Sequence, residues 1–433
     1  MNKPTALFYN ALALLSVGIG LLNSILTIRL LGITAEADIW LLSVAMVTAL
    51  CVLSQLGVEQ FLYFYEEQRA LNQTQAVRFT RAAVTWAILT GVAFALLAIV
   101  ALPLLKLIFA FGLPVLSQDR VAHLIIAMAP QMAAAPLLHV IRQYQNAVGR
   151  YTLSYLLMLW SPMVLLLILL CASLLNTSPE KFAWVVGAGA LIQSAACLLI
   201  MWPTIRYEKQ MAWSAPYFRR FIFTSIAMRS GHALHNFFSN AIINSTLSTF
   251  AVGNVALFQY AFRFAAGANA IAVGPHGSIF QARAAKAWAA FAPSEFFSSV
   301  RQYLTHIFPI YFCVVLVTWL VLRTALELII RIDVPIEKLT TVFLFLCVWY
   351  AVLQLEGVFI TVIIIAHDAV TLIVVNSLFA ILFFSFSHAN LALNDYLVLP
   401  IAATFAQLVS LGLYFTTARR KFRLHFKTML SVR

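Results

Sequence analysis

The chain of 433 residues reads as an all-α polytopic membrane protein, with about twelve transmembrane helices in two six-helix lobes around a central cavity. Three observations predict this. Apolar types make up 63% of the residues and charged types 10%, where soluble domains carry about 25% charged residues. A water-soluble core of that composition would leave a large apolar surface wet, and disorder needs the opposite composition. The apolar residues also fall into long continuous runs, close to the roughly 20 residues with which a helix crosses a bilayer. Strands in lipid must close into a barrel of short alternating segments, and these runs do not alternate. Finally, the basic residues cluster in alternate loops.

In chain order the runs are 6–28, 39–65, 82–105, 121–146, 152–175 and 182–203, then 221–246, 254–280, 302–326, 340–365, 370–390 and 396–418. The first is long for a signal-peptide core and reads as a span. With the N-terminus placed in the cytoplasm, inner loops and termini hold 18 Lys/Arg and outer loops 7. That asymmetry predicts both termini inside a bacterial inner membrane. It also explains the formal charge of +13 without a nucleic-acid partner. Arg419, Arg420, Lys421 and Arg423 read as an anchor on anionic lipid.

A basic linker divides the chain into lobes at 1–208 and 221–418, with 209–220 between them and a basic tail at 419–433. A faint repeat supports the division: spans one and seven both end near a glycine, Gly32 and Gly253, before a quickly returning helix. Such internal symmetry suits transporters whose substrate path runs between repeats. Cys51, Cys171, Cys197, Cys313 and Cys347 all sit in apolar runs without close pairing. They read as buried hydrophobes, neither a disulfide frame nor a metal site.

Ionisable groups inside spans need a wet cavity, a partner or an interface. Arg29, Glu36 and Asp38 flank the first outer turn and read as an ion cluster, structural or gating. Gln55 and Glu59 share a helix face, so Glu59 is expected to face a cavity or an arginine. Arg142 lies near the inner end of span four. In span seven, Arg229, His232, His235, Asn236, Asn240 and Asn244 recur at three- and four-residue intervals as one polar stripe. Two histidines without a nearby acid or thiol make a poor metal site. Span eight carries Gln259 and Arg263 beside the small-residue run 265–270, and Arg263 lies too deep to snorkel to the cytoplasm. Arg142, Arg229 and Arg263 together would attract a pyrophosphate or an acidic sugar through bidentate hydrogen bonds. Glu59 and Glu356 would balance them or couple a cation or proton.

Two stretches resemble the multidrug/oligosaccharidyl-lipid/polysaccharide exporter superfamily, and within it the bacterial lipid II flippases and O-antigen flippases. The first is Ser16 to about Thr90, with IleArgLeuLeuGly at 28–32, AlaAspIleTrp at 37–40 and LeuGlyValGluGlnPhe at 56–61. The second is Leu257 to Lys286, with TyrAlaPheArgPhe at 260–264. The resemblance implies gate or coupling roles for Arg29 and Asp38 and pyrophosphate binding by Arg263. Lipid II flippases usually have fourteen spans and an arginine–aspartate pair where this chain has Leu22 and Asn23, so twelve spans point to the O-antigen and exopolysaccharide branch.

The expected function is therefore a flippase. It moves undecaprenyl-pyrophosphate-linked oligosaccharide from the cytoplasmic to the periplasmic leaflet by alternating access. Expected partners are the polyprenyl-pyrophosphate-linked glycan, membrane lipids, a coupling cation or proton, and glycan polymerase or glycosyltransferases. No cofactor is expected. The sequence holds no phosphate loop and no nucleophile–base set at useful spacing, so a transporter is expected and not an enzyme. Two alternatives stay open: a cation-coupled multidrug exporter of the same fold, and a non-transporting scaffold for glycan-assembly enzymes.

Overall fold

The computed structural model describes residues 6–175, 178–206, 213, 215–330, 335–390 and 396–430. Every regular element among them is an α-helix. They are α1 (Ala6–Leu31), α2 (Ala35–Ser54), α3 (Phe61–Leu71), α4 (Gln73–Val100), α5 (Leu102–Phe109), α6 (Val115–Ala147), α7 (Tyr151–Leu175), α8 (Pro179–Ile205), α9 (Pro216–Ser248), α10 (Asn254–Ala289), α11 (Pro293–Ile330), α12 (Ile336–Ile365), α13 (Ala369–Ala389) and α14 (Val398–Leu430). Among the described residues, nine helices are long and apolar enough to cross a membrane: α2, α4, α6, α7, α8, α11, α12, α13 and α14. The chain is an all-α, multi-pass membrane protein. The polar residues of α9 and α10 dilute their apolar character, and much of α1 lies outside the described side chains.

Two expected spans are broken. The run at 39–65 ends as a helix at Ser54, passes through tight turns over 55–60 and restarts as α3. Gly57 sits in the break because a Cβ there would stand 2.9 Å from Trp86 Nε1. The run at 82–105 stops at Val100 and restarts as α5, whose first turn holds Pro103. Proline fits a first turn, where its missing N–H is not needed. Other helices outrun their apolar segments: α10 continues to Ala289 and α14 to Leu430.

The helices gather into two compact units. One comprises residues up to Thr34 together with Phe250–Arg433, the other Ala35–Thr249. Compactness thus divides the chain elsewhere than at the basic linker. α1 packs on α10, and α9 packs on α2. The chain leaves and re-enters the first unit at the two glycine turns. Gly32 has φ 61° and Gly253 φ 92°, left-handed conformations open to glycine at little steric cost. Gly253 has a second reason: a Cβ would lie 2.4 Å from Ile33 Cγ2.

In the unit Ala35–Thr249, α6 is central, with α2, α4 and α8 against it. Gly91 lets α4 meet α6 backbone to backbone, since a Cβ there would be 2.2 Å from the Ala133 carbonyl oxygen. An aromatic core fills the end near the α2–α3 break. Phe61 and Phe79 stack at 5.5 Å, and Phe79 meets Phe221 edge-on at 5.1 Å. In the other unit α10 packs against α1, α11 and α12, and α14 covers α12 and α13.

Candidate functional site

The α2–α3 break positions Glu59. Its neighbour Gln60 donates its backbone N–H to Ser225 Oγ at 3.1 Å, tying the break to α9. One helical turn beyond Ser225, Arg229 Nη1 reaches Glu59 Oε1 at 3.2 Å. From α6, His139 Nε2 stands 3.6 Å from Glu59 Oε2. Arg142 lies one turn further along α6 and is half-buried. Glu59 thus has an arginine partner, Arg229. Sequence reasoning missed His139; its spacing of three from Arg142 was the available signal.

Further along α9 the polar stripe splits in character. His232 is exposed. Asn240 Nδ2 donates to the Asn236 carbonyl at 2.9 Å, and Asn244 Nδ2 to the Asn240 carbonyl at 2.7 Å. Side chains that bond back to their own helix are partly satisfied before any ligand arrives.

In the other unit, α10 carries Gln259, Tyr260 and Arg263 in its first three turns. Gln259 is buried. The Tyr260 hydroxyl donates to the Gly32 carbonyl at 3.2 Å, fixing α10 against the end of α1. Arg263 is half-buried. Among the described residues no carboxylate stands within ion-pair reach of it. Two turns on, Asn269 accepts from Gln354 Nε2 at 3.0 Å. Both line a cavity of mixed polarity, about 190 Å³, that also takes in Gln281, Tyr303, Tyr350 and Thr361.

Among the described residues Glu356 pairs with an amide and not with an arginine. It is 1% exposed and accepts from Gln407 Nε2. Gln407 Oε1 in turn accepts from Trp349 Nε1 at 3.1 Å. This chain of bonds ties α12 to α14 and fits a carboxyl held for packing. Gln407 lies 51 residues away along the chain, so spacing could not reveal it.

Glu36 pairs with Arg120, whose Nη1 and Nη2 reach its two oxygens at 2.5 and 2.6 Å. Arg120 Nη2 also reaches Glu180 at 2.7 Å. This bidentate pair joins the starts of α2, α6 and α8. Asp38 is buried in the first turn of α2, and Arg29 is exposed in the last turn of α1. At the opposite ends of their helices, Asp368 caps α13 by accepting from Thr371 N at 3.1 Å and pairs with Lys421 at 2.8 Å. Burial alone would raise the Asp368 carboxyl; Lys421 and Thr371 outweigh it and hold it below the usual carboxylate range. All five cysteines are free. Among the described residues no group of three His, Cys, Asp or Glu side chains could hold a metal ion.

No family model matches the sequence, and no curated protein matches it. Solved structures do match. An inward-facing multidrug resistance MATE family transporter of the MOP superfamily superposes with TM-score 0.75 at 14% identity, over 95% of this chain and 96% of that one. The lipid II flippase MurJ in an inward closed conformation gives TM-score 0.71 at 12% identity, over 98% and 91%. A MOP superfamily transporter from Pyrococcus furiosus, described as having a binding pocket of reverse polarity, gives 0.64 at 11%, over 98% and 97%. These identities speak for shared architecture over nearly the whole length: the chain has the fold of the MOP superfamily of transporters.

Proposed function

We propose that this chain is a transporter of the bacterial inner membrane, with both termini cytoplasmic and twelve spans. Its cargo is an amphiphile with an anionic headgroup: an undecaprenyl-pyrophosphate-linked oligosaccharide, carried from the cytoplasmic to the periplasmic leaflet by alternating access. One observation carries the reading. Arg263 sits in the apolar stretch of α10 with no acid within reach among the described residues. A guanidinium at that depth is costly unless water or an anion meets it. Pyrophosphate oxygens match its planar fork. In this reading Gln259 is a second headgroup contact, and Arg142, Arg229, His232 and Asn236 form a cationic and polar site on the other unit. Glu59 holds Arg229 while no anion is bound. Arg29, Asp38 and Glu356 take gate or coupling roles in this reading.

A second reading is a cation-coupled multidrug exporter. It is favoured by the number of MATE transporters among the structures of this fold. It predicts a site that selects cationic aromatic compounds and depends on carboxylates. Purified protein in liposomes separates the two. Leaflet exposure of a defined polyprenyl-pyrophosphate glycan, lost on Arg263→Ala, supports the flippase. Uptake of a cationic dye that needs Glu59 or Glu356 and ignores Arg263 supports the exporter and overturns the flippase.

A further inference from the structure

The helix that carries Arg263 also borders an apolar cavity of about 400 Å³. Leu21 and Ile25 of α1, Phe264 and Ile271 of α10, and Cys313 and Val317 of α11 lie on its walls. Among its lining side chains only Thr318 carries a hydroxyl, and that hydroxyl can bond back to its own helix. The space is in the range of small-molecule sites, about 300–1,000 Å³. Nothing in its walls rewards water, and apolar cavities of lesser size stay dry. Its α11 side is open, with Val317 59% and Val321 47% exposed.

Its position gives it meaning. Phe264 follows Arg263 directly, and Ile271 lies two turns on, about 10 Å along the axis. The cationic face and the apolar face of α10 therefore start at the same level and diverge by one residue. An amphiphile whose headgroup meets Arg263 would have a dry trough beside its first carbons. β-Branched side chains dominate the α11 wall, with Val314, Val317, Thr318 and Val321 at helical intervals. They give it stiff side chains that suit a methyl-branched chain.

We propose that this cavity is a binding subsite for the isoprenoid chain of the transported amphiphile, one that reads the carbons nearest the headgroup. The inference rests on the anionic-amphiphile reading above and adds where the tail goes. Filling the cavity at its open side should remove preference for long chains and leave headgroup recognition intact.

The test uses the full-length protein in nanodiscs with two probes, dimethylallyl pyrophosphate and farnesyl pyrophosphate, which differ in the carbons that would enter the cavity. Wild type should bind the longer chain at least about tenfold more tightly, since two extra buried methylenes already give that ratio. Val317→Trp should abolish the difference while the dimethylallyl compound still binds. Cys313→Phe is a second filling variant in case the first misfolds. Arg263→Ala should weaken both probes alike. Loss of Arg263 dependence with either probe would overturn the headgroup reading itself. A chain-length preference kept in both filling variants would overturn only the tail subsite. A photoactivatable undecaprenyl pyrophosphate should label Leu21, Ile25 or Val317. Equal labelling of these positions by a photoactivatable phosphatidylglycerol would assign the trough to bulk lipid and overturn the inference.

Discussion

Removing either member of the Glu59–Arg229 pair should destabilise the protein by about as much as removing both. The two side chains approach to 3.2 Å and are 23% and 20% exposed. Coulomb attraction at that distance and an effective dielectric near 20 is about 5 kcal/mol, before desolvation and side-chain ordering reduce it. Measured exposed pairs give about 0.2–1 kcal/mol, and stripping one partner from a buried pair costs about 3–5 kcal/mol. A pair one-fifth exposed falls between, so a coupling of about 2 kcal/mol is expected. The assay is a double-mutant cycle on thermal or denaturant unfolding in detergent, with Glu59→Gln, Arg229→Gln and the double variant. His139→Gln, whose nitrogen stands further off at 3.6 Å, should couple to Glu59→Gln by less than about 1 kcal/mol. Additive single effects, within about 0.3–0.5 kcal/mol, would refute the view that Glu59 holds Arg229.

Gly253→Ala should cost about 2–4 kcal/mol, because left-handed backbone penalises a Cβ and Ile33 occupies its space; a thermal shift reads this, and an unchanged midpoint would contradict the turn geometry. Gly91→Ala drives a Cβ into the Ala133 backbone and should lower expression of folded protein more than Gly412→Ala, where no atom lies within 4 Å. Gln407→Leu leaves Glu356 buried without its donor and should cost about 1–3 kcal/mol, measured by unfolding in detergent at neutral pH. Asp368 is held below the usual range when folded, so its contribution is present above about pH 4 and fades as pH falls through the folded value. Asp368→Asn keeps an N-cap acceptor but loses the charge that faces Lys421, so it should flatten that acid limb of a stability–pH curve and cost less than about 1 kcal/mol at pH 7; an unchanged acid limb would show that Lys421 does not act on it.

The apolar runs were legible because bilayer thickness fixes their length, and the turns at Gly32 and Gly253 because only glycine enters left-handed turns cheaply. The breaks at 55–60 and near Pro103 were harder. Apolar content continues across both, and the backbone departs where Gly57 or proline makes a kink cheap. Within the site, the α9 stripe was readable from helical spacing, whereas Glu59 sits in the 55–60 break between α2 and α3, outside any helix. Their partners were not readable. His139 meets Glu59 from 80 residues away, and Arg120 joins carboxylates 84 and 60 residues distant. Long-range packing decides such pairs, which also explains why Glu356 found an amide where an arginine was expected.

The central claim is that Arg263 meets the anionic headgroup of a transported lipid. The most direct measurement is the rate at which a fluorescent polyprenyl-pyrophosphate glycan crosses proteoliposomes holding wild type, Arg263→Ala or Arg263→Lys. The account predicts transport by wild type, partial transport with lysine and background flux with alanine, all three proteins being equally folded. Wild-type flux through the alanine variant would contradict it.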